Sequence, residues 1–456
     1  MTGSNSPFTD EAWNVLNARN FVVLGRWSTD GWDRQLVSIP FMVAQVLAFQ
    51  LGGVGIVQAR LVSVVATALT VLAIGWGLRR ALGTGPAILG ALALGSCALF
   101  IYYGRLALLE PSVALWLTLG GLLVLAADGR RAALTGIAAG LCFGAAIGTK
   151  PNAAFAVVGL LAAVAVADGW RSAAVRRWVA GALATLLVLG LAWTLLVYLP
   201  NRAQVAAVLQ SWPTEQLPRT AGELWRRVIG YFFIENDTTL GLAGPLLIGG
   251  SAGGLVALAT WRQRSPLERR LVAAAGGWAA ASFAVLAALP YHPNRYAVPI
   301  MPAMAILLAV GAAILVGRLR TALPASGLLL AGFAVAAAVT VPGLLRYQTW
   351  IDSSGSTLPG IQARLADAVP PGAVVEGRYA PLFLMRAPVV TLFSVSAWNL
   401  NEGDLYRTRG VRWVLTSADD IPSWAEGPEA AAWAARQVVS CAPWGAEPSV
   451  CLYRLP

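Results

Sequence analysis

The chain has 456 residues, of which 57% are hydrophobic and only 12% are charged. Soluble domains carry about 25% charged residues, so a water-soluble fold of this size is excluded. The formal net charge of +11 comes almost entirely from arginines that cluster between apolar runs, as topology signals do, so nucleic acid is not expected as a partner.

The first sixty residues are predicted to form an outer-face loop with interfacial helices. The stretch FTDEAWNVLNARN contains adjacent carboxylates, Asp10 and Glu11, and predicts a helix over residues 11–24. Residues 35–51 are apolar, but they are short and contain Pro40. They therefore predict a helix lying in the outer interface and not a further span.

About ten apolar runs follow, each long enough to cross a bilayer as a helix. Arginine groups fall in alternate loops, which the positive-inside rule assigns to the cytoplasm. Both termini and the remaining loops are then outside, so 61–345 is predicted as the transmembrane domain. The predicted spans are 61–78, 86–103, 111–127, 132–147, 152–167, 178–199, 238–260, 271–290, 296–317 and 322–345.

Residues 346–456 predict a small extracytoplasmic α/β domain, because charged and turn residues return and no later run could span a bilayer. Its Cys441 and Cys451 would lie in a compartment that permits disulfides, although two unpaired small apolar side chains explain them as well. The predicted strands are 373–376, 389–393, 411–416 and 450–454, and the predicted helices are 359–368 and 428–436.

Asp10 and Glu11 admit two interpretations. They could cap and complement the start of the following helix. Alternatively, a carboxylate at an outer membrane cleft could act as a general base that takes the proton from an attacking hydroxyl.

The turn GRLALLEP, residues 104–111, contains Arg105 and Glu110 in otherwise apolar surroundings. Ionisable groups at a bilayer boundary are costly unless they pair or act in function. The turn therefore predicts an arginine–carboxylate clamp, a catalytic lining or a structural salt bridge.

Lys150 is the single lysine of the chain and stands at the outer end of a predicted span. A compact ammonium suits a phosphate oxygen. Snorkelling of this side chain to the lipid headgroups is the alternative.

A late turn, LPYHPNRYAVPIMP, brings together His292, Arg295 and Tyr296, of which Arg295 is the candidate for binding an anion. His292 is the only histidine of the chain, so a three-histidine zinc site is excluded. No cofactor or metal site is predicted with certainty, and a carboxylate-based site for a divalent cation stays open.

Together, these motifs resemble the GT-C glycosyltransferases of the protein O-mannosyltransferase and aminoarabinose transferase type. The resemblance covers roughly residues 8–310 and rests on the order Asp-Glu, RLALLEP, TK and NRYAVPIMP along one face. It implies transfer of a sugar from a polyprenyl-phosphate donor to a hydroxyl on a lipid, glycan or protein, at the outer face of the cell (inner or plasma) membrane.

The resemblance also implies roles for individual residues. Asp10 matches the general base, with Glu11 beside it, and Glu110 matches a second acidic position preceded by Arg105. Lys150 and Arg295 match basic positions that hold the donor phosphate, and Arg105, His292 and Tyr296 are predicted to line the same phosphate site. Inversion at the sugar carbon would follow from one direct displacement. Two departures from the family are the missing leading span and RQLVSIP in place of a His-x-x-Lys-Pro-Pro-like stretch.

Two other classes of function fit a polytopic basic chain. A flippase of lipid-linked sugars would place ionisable residues near the membrane midplane and show paired repeats. A non-catalytic relative would use its outer domain for binding. The enzyme hypothesis requires Asp10, Glu110, Lys150 and Arg295 to lie in one place.

Overall fold

The fold is largely helical, with a small sheet near the C-terminus. The helices that precede the sheet are α1 Thr9–Leu24, α2 Ile39–Gly52, α3 Ile56–Leu82, α4 Thr84–Gly95, α5 Ala98–Gly104, α6 Glu110–Leu122, α7 Ala132–Thr149, α8 Ala153–Ala167, α9 Ala173–Trp193, α10 Arg202–Gln210, α11 Ala221–Ile229, α12 Asp237–Ala259, α13 Pro266–Ala288, α14 Met301–Leu319 and α15 Ala325–Asp352. The computed structural model describes residues 9–127, 129–167, 172–210, 220–229, 237–289, 293–320, 322–352, 358–394, 408–417, 430–444 and 447–456.

The predicted polytopic helical fold is confirmed. Among the described residues, seven helices are long and apolar enough to cross a membrane, and α4 with α5, bent by 59°, counts as an eighth if the pair is one span. Two of the ten predicted spans correspond to shorter apolar helices, Glu110–Ala126 and Ala153–Ala167. Ten apolar helical segments therefore stand where ten were predicted, and seven or eight of them meet the length of a full crossing.

Glycines allow the helices to approach closely. A Cβ on Gly277 of α13 would lie 2.3 Å from the carbonyl oxygen of Gly159 on α8, and one on Gly311 of α14 would lie 2.4 Å from the Cα of Gly253 on α12. Small residues at such crossings provide the close van der Waals contact that holds helices together in lipid. Larger side chains here would force the two helix pairs apart.

The arginine groups lie at the opposite end of the bundle from the motifs. Helix α3 has Arg60 in its first turns and Arg79 and Arg80 in its last turn, about 30 Å apart at 1.5 Å per residue. Near the start of α13, Arg270 donates a hydrogen bond to the carbonyl of Ala127, 3.3 Å away and just beyond α6. The helix ends that carry arginine thus lie together at one end of the bundle.

The C-terminal sheet has five strands in the order β2-β1-β3-β5-β4. Strands β1, β2 and β3 are parallel, and β5 runs antiparallel to both β3 and β4. The strands are β1 Val374–Glu376, β2 Val390–Leu392, β3 Trp413–Ser417, β4 Gln437–Trp444 and β5 Glu447–Arg454, and the helices are α16 Leu358–Asp367, α17 Ala380–Phe383 and α18 Ala430–Ala434.

Four of these strands and both predicted helices match the sequence prediction, whereas β4 was missed. Cys441 and Cys451 are directly opposite each other on β4 and β5 and form a disulfide. The domain boundary predicted between residues 345 and 346 stays a prediction, and α15 itself continues to Asp352.

The protein has two main apolar cores. One lies within the helical bundle. The other joins the N-terminal helices and the turn before α6 to the sheet domain, and it includes Leu16 of α1, Phe41 of α2, Leu109 and Phe383. The N-terminal segment is therefore packed against the sheet domain, not only against the bundle.

Candidate active site

Four ionisable residues meet at the end of the bundle opposite the arginine groups. Asp10 lies in the first turn of α1 and Glu110 is the first residue of α6. Lys150 directly follows α7, and Arg295 lies in a 3₁₀ helix, Asn294–Ile300, that precedes α14. Four separate segments of the chain thus contribute one side chain each.

Local sequence explains two of these positions. Helix α7 ends at Thr149 because Pro151 disfavours helical geometry at the residue before it, and Lys150 accordingly has extended backbone angles, with φ −150° and ψ 113°. At the start of α6, Pro111 occupies a position where a missing N–H costs nothing. Glu110 then complements the positive end of the helix dipole.

The four side chains form a continuous chain of ion pairs. Arg295 bonds to the Asp10 carboxylate, and its Nε lies 3.5 Å from Oε1 of Glu110. The Nζ atom of Lys150 donates to the same Oε1 at 2.6 Å. Relative exposure of the side chains is 3% for Glu110, 7% for Lys150 and Arg295, and 27% for Asp10. The cluster is therefore buried at Glu110 and open at Asp10.

Two tyrosines complete this cluster. The ring of Tyr296 lies 3.6 Å from Nζ of Lys150 and 5.2 Å from Cζ of Arg295, so it contacts both cations through its face. Tyr103 of α5 lies within electrostatic range of Arg295, Glu110 and Asp10. Tyr103 was not predicted from the sequence, although it directly precedes the GRLALLEP turn.

Glu11 and Arg105 lie in an adjacent group around Arg60. Both carboxylate oxygens of Glu11 accept hydrogen bonds from Arg60 at 2.8 Å, and one also accepts the N–H of Ala107 at 2.8 Å. Arg105 lies next to Arg60, with its Cζ 5.2 Å from the ring of Tyr102. The GRLALLEP turn thus places its arginine in one group and its glutamate in the other.

The site residues predicted from the sequence thus fall into two groups, apart from one residue that the structure does not describe. Asp10, Glu110, Lys150, Arg295 and Tyr296 are brought into one cluster, whereas Glu11 and Arg105 belong to the group around Arg60. His292 lies outside the described residues. In the part of the chain that the structure describes, no three His, Cys, Asp or Glu side chains are grouped as metal ligands.

Comparison with known proteins supports the resemblance seen in the sequence. Residues 39–198 match a family model described as dolichyl-phosphate-mannose-protein mannosyltransferase. No curated protein sequence matches the chain.

Solved structures match over nearly the whole chain. ArnT from Cupriavidus metallidurans bound to undecaprenyl phosphate is similar with a TM-score of 0.65 at 18% identity, over 99% of this chain and 94% of that one. Its apo state matches with a TM-score of 0.62 at 18% identity, over 97% and 93%. The Archaeoglobus fulgidus oligosaccharyltransferase tethered to an acceptor peptide gives 0.59 at 14% identity, over 91% and 65%.

These matches confirm the predicted resemblance and show the fold of the chain. The chain has the fold of the GT-C glycosyltransferases. Within that class, its fold is similar to that of the aminoarabinose transferase ArnT along its full length, including the sheet domain.

Proposed function

We propose that this protein is an inverting membrane glycosyltransferase that transfers a sugar from a polyprenyl-phosphate donor to a hydroxyl group on a lipid, glycan or protein. The observation that carries the proposal is the cluster of Asp10, Glu110, Lys150 and Arg295 at one end of the bundle. Two buried cations beside a partly exposed carboxylate suit an anionic donor and a hydroxyl acceptor.

Lys150 and Arg295 bind the donor phosphate in this mechanism. As the bond between the sugar carbon and the phosphate oxygen breaks, its electron pair passes to that oxygen, and the two cations stabilise the added negative charge. Because both side chains are largely buried, their interaction with that charge is stronger than it would be in water.

Asp10 acts as the general base. Its carboxylate takes the proton of the acceptor hydroxyl while the hydroxyl oxygen attacks the sugar carbon from the side opposite the phosphate. The ion pair with Arg295 holds this carboxylate next to the donor phosphate. One direct displacement inverts the configuration at that carbon.

The site lies on the outer face of the cell (inner or plasma) membrane in this proposal. The arginine groups at the other end of the bundle favour the cytoplasm, and the disulfide between Cys441 and Cys451 favours an oxidising compartment for the sheet domain. Membrane lipids surround the exposed apolar helices α9 and α15.

A transfer assay with purified protein tests the proposal. The protein is incubated with a panel of polyprenyl-phosphate sugars and hydroxyl acceptors, and glycosylated product and released polyprenyl phosphate are measured. Equal amounts of both are expected. Reconstituted protein that moves the lipid-linked sugar between leaflets without forming product would instead indicate a flippase. Donor binding without turnover over the whole panel would indicate a non-catalytic relative.

A further inference from the structure

The two cations of the cluster are already neutralised by two carboxylates of the chain itself. Glu110 is the more deeply buried of these carboxylates, with its Oε1 atom 2.6 Å from Nζ of Lys150 and 3.5 Å from Nε of Arg295. The proposed function requires a phosphate to contact the same two cations. Glu110 therefore competes with a donor phosphate for these two cations.

Adding a donor changes the charge balance of the cluster. A phosphodiester brings one negative charge, so three negative groups would share Lys150 and Arg295. Among the described residues, the charged and titratable groups around Glu110 include these two cations, Tyr103, Tyr296 against both cations and, across Arg295, Asp10. Arg60, further along this end of the bundle, is engaged by Glu11.

A buried carboxylate that loses its cations is strongly destabilised in the charged form. Glu110, with a side chain only 3% exposed, has little access to water that could replace them. Its neutral form removes the excess negative charge and adds a hydroxyl that can donate a hydrogen bond to a phosphate oxygen.

We propose that Glu110 occupies the donor-phosphate position of the enzyme before the donor binds, and takes up a proton from water when a phosphodiester displaces it. Donor binding is then coupled to the uptake of one proton at this residue. The inference rests on the proposed function, because that function assigns the donor phosphate to Lys150 and Arg295.

Isothermal titration calorimetry on the full-length protein in detergent tests the coupling. The probe is a short-chain polyprenyl phosphate methyl diester, whose single negative charge does not change between pH 6 and pH 8. Titration in two buffers of different ionisation enthalpy gives the number of protons taken up. We expect about one proton at pH 8, and a Kd that rises about tenfold per pH unit where Glu110 is ionised in the free protein.

Two variants test whether Glu110 is the residue that takes up the proton. Glu110→Gln should bind the diester with a Kd that is independent of pH, and at pH 8 more than tenfold more tightly than the parent, since no proton must be supplied. Glu268→Gln is the matched control, because Glu268 caps α13 at the opposite end of the bundle and should keep the parent's pH dependence.

The outcomes separate this inference from the proposed function. Diester binding by the parent without proton uptake would overturn the inference and leave the donor assignment intact. The inference is likewise overturned if Glu110→Gln keeps the pH dependence or binds more weakly than the parent. Absence of diester binding at every pH, in protein shown to be folded by its thermal transition, would overturn the donor assignment itself.

Discussion

Adjacent carboxylates at residues 10 and 11 have opposite environments. Asp10 keeps a partly exposed side chain and forms an ion pair with Arg295. Glu11 is fully buried, and its oxygens are held by Arg60 and by the N–H of Ala107. A general base must reach the acceptor hydroxyl, so the exposed residue suits that role and the buried one suits fixing α1 on the turn before α6.

Replacing Asp10 with Asn should lower turnover by a factor of roughly 10² to 10⁴, because it removes the proton acceptor. Asn retains the size of the side chain and is tolerated in the first turn of α1, so the helix should persist. Donor binding should be preserved, since Arg295 loses a competing carboxylate. Steady-state turnover and donor Kd are measured on the same preparation.

The matched change at the neighbouring residue is Glu11→Gln. It should lower thermal stability, because the buried carboxylate pairs with Arg60, and it should affect turnover less than Asp10→Asn. If turnover of folded, donor-bound Asp10→Asn stays within a few-fold of the parent, the base must be a different residue.

Lys150 has one proposed role and one observed contact. A single substitution removes both, so it cannot separate their effects. Lys150 is proposed to bind the donor phosphate, and it neutralises the buried Glu110. Lys150→Ala should weaken donor binding by about 1.5–3 kcal/mol, the range for a hydrogen bond to a charged group. It should also destabilise the fold, because Glu110 is left with Arg295 alone.

The double variant Lys150→Ala/Glu110→Gln separates these effects. It removes the buried carboxylate together with its cation, so thermal stability should recover, while donor binding should stay weaker than in Glu110→Gln alone. Lys150→Arg should rescue donor binding only in part, because a guanidinium requires a different geometry. If the double variant binds the donor as tightly as Glu110→Gln alone, Lys150 serves only to pair Glu110.

At the scale of elements, α1 is tied to the sheet domain by buried polar contacts. Arg19, with no exposed surface, donates to the carbonyls of Leu384, Met385 and Ala387, and burial lowers the pKa of its guanidinium to about 10. Since Asp10 lies at the start of the same helix, the sheet domain helps to set the position of the proposed base.

Asp30, which lies between α1 and the sheet domain, should make the stability of the protein depend on pH. Its carboxylate accepts the N–H groups of Trp32 and Phe393, at 2.9 and 2.7 Å, and burial raises the pKa of Asp30 from 3.8 to about 7. Nearby Asp33 adds to this increase and Arg409 opposes it. The folded protein thus holds a proton that the unfolded chain releases, and stability should fall as the pH rises from about 4 to 7.

The measurement is the thermal unfolding temperature in detergent at pH 5.5 and pH 8, with a higher value expected at pH 5.5. Asp30→Asn cannot ionise, so it should reduce this difference even if it lowers stability at both values through its altered contact with Phe393. An unchanged difference in the variant would assign the pH dependence to other groups.

Sequence patterns predicted the helices and strands better than they predicted which side chains pair with one another. The apolar runs gave the helical segments, and alternation gave four strands, but β4 escaped because QVVSCAPW mixes polar and apolar residues on an edge strand with bulges. The motifs named Glu110, Lys150 and Arg295. Their pairing could not be predicted, because it depends on how α6, α7 and the segment before α14 converge from distant parts of the sequence.

At the scale of the whole molecule, the charges at the two ends differ in kind. The arginines at one end, such as Arg79 and Arg80 in the last turn of α3, form no part of the ion-pair cluster. At the other end, cations and carboxylates are paired and buried. Loops rich in arginine are retained on the cytoplasmic side of membrane proteins, so we propose an orientation with the arginine end in the cytoplasm and the cluster on the outer face.

Labelling of introduced cysteines in intact cells tests this orientation. Ala363 on α16 and Gln263 beside the start of α13 are both exposed and lie on the sheet-domain side and the arginine side, respectively. A membrane-impermeant maleimide should modify Ala363→Cys and spare Gln263→Cys until the cells are permeabilised. Background should be low, since Cys97 is buried at the break between α4 and α5, Cys142 lies within the apolar helix α7, and Cys441 and Cys451 form a disulfide. The reverse pattern would put the cluster of Asp10, Glu110, Lys150 and Arg295 on the cytoplasmic face and exclude an outer-face transferase.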